Sequence, residues 1–493
     1  RRVPGSGPHG GGDLREIQDH GKKNSKKEIR RRCRQFLTPE KIDVLSKNKK
    51  CRTNKVVVTP SSIQKELEER LRSGFSSPYV GGLFLVPYHL QLGSWEMLST
   101  LLPDKVGGIP PQKLGLQVIH HSLYGIKGTR ELDELRESSY GLLSGLPFIC
   151  SPVTENRFFN QIPTAHSEEL LLEMGKRQKQ LGYLKGNLVN TDGHSIRTFS
   201  RMHMPKSYLS KEKIYDKSIR TFWTQDQETK NPIFLKAFYS GTTVSMAVPD
   251  LMDKTLEILQ NPFLSAMDKE HFVGTLLSQL DERGIRVILP MRNSDKRLKE
   301  MEAIDASEFI RRFEGRRLAD VFTYLKDYND PLRLLVLKAK EDGKTKYVGF
   351  ITNDLNITPR ALLKIYRKRW RIENLFSECD FLGFNLLVST NLNAITANLA
   401  LKLMAFNLMS AFRNDLGGEF LSMTPSLVHR HFLKNVQGKV KLHGDYIRVD
   451  VFGFEHQDAV RPLLDNLQAK LLKKGLDPRI PWLNNHRICF RFI

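Results

Sequence analysis

Ile365-Tyr-Arg-Lys-Arg-Trp-Arg-Ile-Glu-Asn-Leu-Phe-Ser-Glu-Cys-Asp380 is the stretch on which the reading of the fold turns. It reads as helix. At about 100° per residue, Tyr366, Arg369 and Glu373 fall within roughly 60° of one another, so a phenol, a guanidinium and a carboxylate share one face. A Glu four residues after an Arg is most often a surface ion pair. Chemical meaning has to come from what precedes it.

Working upstream, residues 184–191 form a strand pattern that runs into Asp192-Gly193, and residues 232–239 form another that ends at Ser240-Gly241. A helix is expected from about Pro249 to Leu259, followed by a short apolar strand at 263–267 leading to Asp268. A helix at 271–282 and a strand at 286–290 complete a strand, helix, strand signature of α/β architecture. Each aspartate has an ordinary explanation, since Asp-Gly pairs commonly mark turns and Asp268 suits a helix cap. Taken together with Glu373 they are three hard oxygen ligands, enough for two Mg²⁺ ions about 3.5–4 Å apart, the arrangement that breaks phosphodiesters.

Between Asp268 and the helix the pattern is strand-rich, at 318–325 and 332–338, with Asp342-Gly343 turning the latter into 347–351. The Asp-Gly pair is a hairpin cue, and the whole of 291–350 reads as a β-rich insertion in the α/β domain. Helical periodicity returns after Thr358-Pro359 and continues through 391–412, whose apolar density implies burial beside the catalytic core.

An acidic residue on a first strand, another after a later strand, and a Glu on a following helix is the order of a ribonuclease-H-like domain. Here the sequence resembles the DDE transposases of bacterial-type insertion sequences, in the group whose glutamate helix carries Tyr-x2-Arg-x3-Glu-x6-Lys. Tyr366, Arg369 and Glu373 match its first three positions, and Asp380 stands in place of the Lys. Asp192-Gly-His-Ser-Ile and Met267-Asp-Lys-Glu-His-Phe272 are similar to the two aspartate motifs. The likeness runs over roughly 185–415.

The resemblance implies Asp192, Asp268 and Glu373 as catalytic metal ligands for Mg²⁺, with Mn²⁺ able to substitute, and cleavage of transposon ends followed by joining to target DNA, in cut-and-paste fashion. It places Arg369 on DNA phosphate through its planar fork and Tyr366 against the same backbone. The change at Asp380 removes a cation there, which neighbouring Arg367, Lys368 and Arg371 could replace. In related transposases an aromatic residue of the insertion holds a flipped base. Phe322 and Tyr324 could stack on one, although aromatics alternating in a strand usually face a core. The alternative reading is a domesticated or inactive descendant that binds DNA without cutting it.

Composition agrees with a polyanionic partner. The 493 residues carry 77 Lys and Arg against 54 Asp and Glu, a formal charge of +23. No continuous apolar run reaches roughly 18 residues, which favours nucleic acid over a membrane. Five scattered cysteines show neither paired metal-ligand spacing nor the density of a disulfide framework, so a reducing compartment is expected. Cytoplasmic placement at the nucleoid follows, or nuclear in a eukaryotic host. The expected partners are double-stranded DNA, as terminal inverted repeats and target, with a homodimer on paired ends.

The expected organisation is a disordered arm over 1–28, a basic helical DNA-binding segment over 29–87 that includes Arg30, Arg31, Arg32 and Arg34, and a helical domain over 88–182. A ribonuclease-H-like catalytic domain follows over 183–290 and 351–416, interrupted by the β-rich stretch 291–350. Residues 417–493 form a C-terminal region with no evident chemistry.

Overall fold

The computed structural model describes residues 58–493 apart from 103–107, 129–130, 133–134, 136–137, 210–211, 293 and 342. The arm over 1–28 and the arginines at 30, 31, 32 and 34 lie outside the described residues. Thr59 caps the first described helix, Pro60–Ser73: its hydroxyl accepts from the Ser62 N–H while Ser62 returns a bond to the Thr59 backbone. Ile63, Leu67 and Leu71, four residues apart, make the buried face of that helix. Strand β1 (Phe75–Ser77) follows, and its partner is Gly438–Val440. This pairing joins residues 75–77 to the C-terminal region.

Ten strands make the principal sheet: β2 (Leu188–Arg197), β3 (Lys206–Leu209), β4 (Ile214–Asp226), β5 (Pro232–Tyr239), β6 (Leu264–Met267), β7 (Arg286–Pro290), β8 (Arg311–Phe313), β9 (Arg316–Thr323), β10 (Leu332–Glu341) and β11 (Lys344–Thr352). Their order is β3-β4-β2-β6-β7-β11-β10-β9-β8, with β5 also paired to β4. β2, β6 and β7 are parallel, and β4 runs antiparallel to both β2 and β5. The helices Val244–Leu259 and Gly274–Glu282 provide the crossovers into β6 and β7. All four residues of β6 are buried, as in a strand covered on both faces, and the one polar side chain, Ser265, shares a hydrogen bond with the Thr191 hydroxyl at 2.8 Å.

The β-rich stretch is spatially an extension of this sheet, because β11 pairs antiparallel with β7 through Phe350 to Thr352. Glu341 faces Lys344 across the turn, and Gly343 supplies the left-handed backbone (φ 74°) that a two-residue hairpin loop demands. Two local expectations fail here. The Asp192-Gly193 pair is no turn: β2 continues through it to Arg197 because β4 pairs along its whole length, as far as Ser218. The helix expected to begin at about Pro249 begins at Val244 and contains that proline.

Behind the sheet the helix Leu392–Leu416 is buried from Ala394 to Phe412 and packs on the helices Pro111–Leu123, Pro152–Gln161 and Thr164–Gln180. Its length and composition would suffice to cross a membrane, but its apolar window is wholly buried within the protein, as for a core helix. The second sheet takes β1 at its edge, then β12 (Gly438–His443), β13 (Tyr446–Val451) and β14 (Arg487–Phe492).

Candidate active site

Parallel pairing of β2 with β6 puts Thr191 opposite Met267, so Asp192 and Asp268 leave the last paired positions of neighbouring strands, which lie about 4.8 Å apart. Asp268 precedes the short 3₁₀ turn Lys269–His271, yet its side chain makes no capping hydrogen bond. The capping explanation for it therefore falls away.

Glu373 reaches the same place from the other side of the sheet sequence. Thr358 caps the helix Pro359–Arg367, which tightens into a 3₁₀ turn at Lys368–Trp370 and resumes as Arg371–Phe381. The single helix expected over 365–380 is thus two helices and a turn. Nothing in Arg-Lys-Arg-Trp-Arg breaks a helix locally; the bend is a tertiary effect, with Arg371 donating to the Gln227 carbonyl at 2.8 Å. Tyr366, Arg369 and Glu373 nevertheless meet. Arg369 donates through Nη2 to Glu373 Oε1 at 2.8 Å and through Nη1 to Asp192 Oδ2, also at 2.8 Å. Its guanidinium carbon lies 5.9 Å from the Tyr366 ring, which itself packs edge-on against Phe350.

Electrostatics mark this cluster. Burial pushes the Asp192 carboxyl up to about 7; Arg369 opposes that shift, while Asp268 and Glu270 reinforce it. Burial would lower the Arg369 guanidinium, but Asp192 foremost, with Tyr366, Glu373 and Asp268, holds it above its ordinary value. Burial also raises the Tyr366 phenol.

Glu270 was not legible as a site residue. Its carboxylate pairs with Arg220 through Oε2, while Oε1 is buried without a hydrogen-bond partner. A Cβ on Gly193 would come within 2.9 Å of that Oε1. A side chain at Gly193 would crowd the ends of the Glu270 and Arg220 side chains, so the glycine leaves room for their pair and marks no turn.

The remaining candidates separate. Arg367 pairs with Glu314 in the β8–β9 turn, Arg371 is committed to the Gln227 carbonyl, and Lys368 is exposed. Asp380 accepts from Lys127 Nζ at 3.0 Å and from Asn385 Nδ2 at 3.2 Å. Asn385 Oδ1 in turn meets His194 Nε2 at 2.9 Å, and the His194 ring stacks on Phe376. A cation thus stands beside position 380, supplied by a residue 253 positions away that no local motif could reveal. Phe322 and Tyr324 are 63% and 72% exposed, which overturns the core-packing expectation: the sheet extension leaves that face of β9 open. A cleft of about 380 Å³ lies beside Arg369, lined by Tyr366, Trp370, Arg316, Phe313 and Leu337.

Among the described residues no three His, Cys, Asp or Glu side chains converge as a metal-binding group. Arg369 holds Asp192 and Glu373 in the place where such a group would form. The donor set, carboxylate oxygens only, is the chemistry that suits a hard divalent cation. A cation there would compete with the guanidinium for Asp192 Oδ2 and Glu373 Oε1.

Residues 221–408 match the family model described as Transposase DDE domain. The match supports a DDE transposase; it includes Asp268 and Glu373 and begins beyond Asp192. No curated protein matches the chain. Among solved structures, the chain is similar to the piggyBac transposase in its synaptic complex with hairpin DNA, determined by cryo-EM, at 11% identity over 78% of this chain and 87% of that one. The TM-score is 0.35, too low for residue roles to be carried across.

Proposed function

We propose that the chain is a Mg²⁺-dependent DNA transposase of the insertion-sequence type, which cleaves element ends and joins them to target DNA as a homodimer. The observation that carries this reading is the Arg369 guanidinium bridging Asp192, within β2, and Glu373, on the helix Arg371–Phe381, with Asp268 beside Asp192 just past the end of the adjacent parallel strand β6. The order β5-β4-β2-β6-β7, with β4 alone reversed, supports a ribonuclease-H-like core.

In this reading Asp192, Asp268 and Glu373 hold the divalent ions, which when bound activate the attacking water or 3′-hydroxyl and stabilise the leaving oxygen. Arg369 is the residue that changes partners. Its fork gives up the carboxylates and turns to a DNA phosphate, where two parallel N–H bonds fit two oxygens. Tyr366 limits the travel of the guanidinium by packing between it and Phe350. The cleft at Trp370 has an aromatic face, arginines at its rim and room for a base lifted from the helix.

The test is direct. DNA carrying the flanking terminal repeats is nicked or released by the purified protein in Mg²⁺. Asp268→Ala abolishes this and leaves DNA binding largely intact. Binding with no cleavage by the unaltered protein would instead establish the domesticated, non-cutting descendant.

A further inference from the structure

Beyond the carboxylate site, the described surface carries one compact cluster of exposed aromatics and cations. It lies where β2 leaves the sheet, passes through residues 198–205, and returns as β3 and the first half of β4. Phe199 is 82% exposed, Tyr215 73% and Tyr208 52%. Arg201, Lys206 and Lys213 are exposed beside them.

The register explains why these side chains stand together. Tyr208 pairs with Tyr215 and Lys206 with Lys217, so by two-residue alternation the four occupy one face, with the tyrosine rings 5.5 Å apart. Two lysines placed directly opposite disfavour the pairing in the absence of an anion. The Lys217 ammonium is drawn aside to the carbonyls of Ser200 and Met202, at 2.9 and 2.7 Å, which anchors the preceding loop. Met204 and Leu209 are buried beneath it, and the Arg197 guanidinium covers the Phe199 ring at 4.5 Å while pairing with Asp216. The extension is thus held in place; Tyr208 and Tyr215 are exposed on one face, while Arg197 and Asp216, with Phe199 under the guanidinium, belong to the other.

Toward the carboxylates the same face is covered, with Ile219, Thr221 and Trp223 buried. Asp192 pairs with Trp223, and two-residue steps along β4 run from Trp223 through Thr221, Ile219 and Lys217 to Tyr215. From Trp223, opposite Asp192, to Tyr215 along β4 is eight residues, about 27 Å at ~3.4 Å per residue.

We infer that this β3–β4 extension binds an unpaired strand of DNA, Lys206 and Lys213 meeting phosphates while Tyr208 and Tyr215 stack on bases from one face and Phe199 from the other. Paired bases expose no faces to such rings; unpaired ones do. This inference rests on the transposase reading for its choice of DNA.

Photocrosslinking of the full chain to DNA substituted with 5-bromodeoxyuridine, as single strand and as duplex of the same sequence, tests it. Adducts are expected on peptides that contain Phe199, Tyr208 or Tyr215, and more from the single strand than from the duplex. The triple variant F199A/Y208A/Y215A is expected to lose at least about tenfold in single-strand affinity with an unchanged salt slope, while Y208F/Y215F retains it. Adducts confined to other regions, or a triple variant that binds single strands as tightly as the unaltered protein, or one that loses only self-association, would overturn it. Cleavage of end-bearing DNA by the unaltered protein is scored separately: no cleavage with adducts in place removes the transposase reading alone, and cleavage with adducts elsewhere removes this inference alone.

Discussion

Arg333 and Arg369 are buried to nearly the same degree, at 11% and 12% side-chain exposure, and both face carboxylates, yet the two sites are built for opposite ends. Arg333 closes its fork on one partner, giving Nε and Nη2 to Asp320 at 2.7 and 2.8 Å, and spends Nη1 on the Ile357 carbonyl at 2.7 Å. It ties β10 to β9 and to the loop before the glutamate-bearing segment. Arg369 divides its fork between Asp192 and Glu373 on different elements, with Asp268 and Glu270 close enough to act on Asp192, and Glu373 is 57% exposed. Equal burial does not make equal roles. A guanidinium saturated by one carboxylate and a carbonyl is a lock, whereas one shared between two carboxylates in an acidic cluster is, in the function proposed above, a latch for a cation or a phosphate to open.

The sharpest separation is expected on the carboxylate side. Glu373→Ala should lower cleavage of end-bearing DNA by at least about 10³-fold, because stabilisation of the reacting oxygens is the largest catalytic contribution, with its melting temperature nearly unchanged. Asp320→Ala should do the reverse, losing about 3 kcal/mol in urea denaturation because it strands a buried Arg333, while the folded fraction keeps its cleavage rate. If Glu373→Ala cuts normally, the latch has no catalytic role.

A smaller effect should appear in Arg369→Gln. It leaves Asp192 beside Asp268 and Glu270 without its counter-charge, so the variant should be less stable than the unaltered protein in EDTA and should recover most of that loss on adding Mg²⁺. Arg333→Gln should be destabilised alike in EDTA and Mg²⁺. Equal Mg²⁺ responses from the two variants would erase the distinction between them.

The smallest effect concerns Asp380, whose pair with Lys127 is partly exposed. Asp380→Lys places two ammonium groups together and should cost no more than about 1 kcal/mol. The exchanged double variant Lys127→Asp/Asp380→Lys should recover it in a double-mutant cycle. Additive effects would mean that the pair is incidental.

Much of the proposed site is legible in the order of residues. Tyr366, Arg369 and Glu373 announce themselves by spacing, and the strands before Asp268 and after the Asp342-Gly343 pair by alternation and turn chemistry. What escapes depends on partners far away in the chain. Asp192-Gly193 looks like a turn until β4 is known to pair across it, and the Glu270–Arg220 pair that crowds Gly193 is assembled from distant parts of the chain. The 3₁₀ turn at 368–370 contains no Gly or Pro, and the distant contacts beside it, from Arg371 to Gln225 and Gln227, carry no local signal. Phe322 and Tyr324 obey the alternation of a half-buried strand, but which face of β9 is covered is decided by the layers around the sheet. Lys127 has no signal of its own, and position 380 looks stripped of its cation until the fold brings that lysine alongside.

The most direct test of the latch is to replace Mg²⁺ with Fe²⁺ under ascorbate and peroxide, and to map where the chain is cut by hydroxyl radicals released at the metal. Cuts confined to the segments around Asp192, Asp268 and Glu373, and lost in Asp268→Ala, are the expected result. Cuts elsewhere, or the same cuts in Asp268→Ala, would contradict a metal site at these three carboxylates.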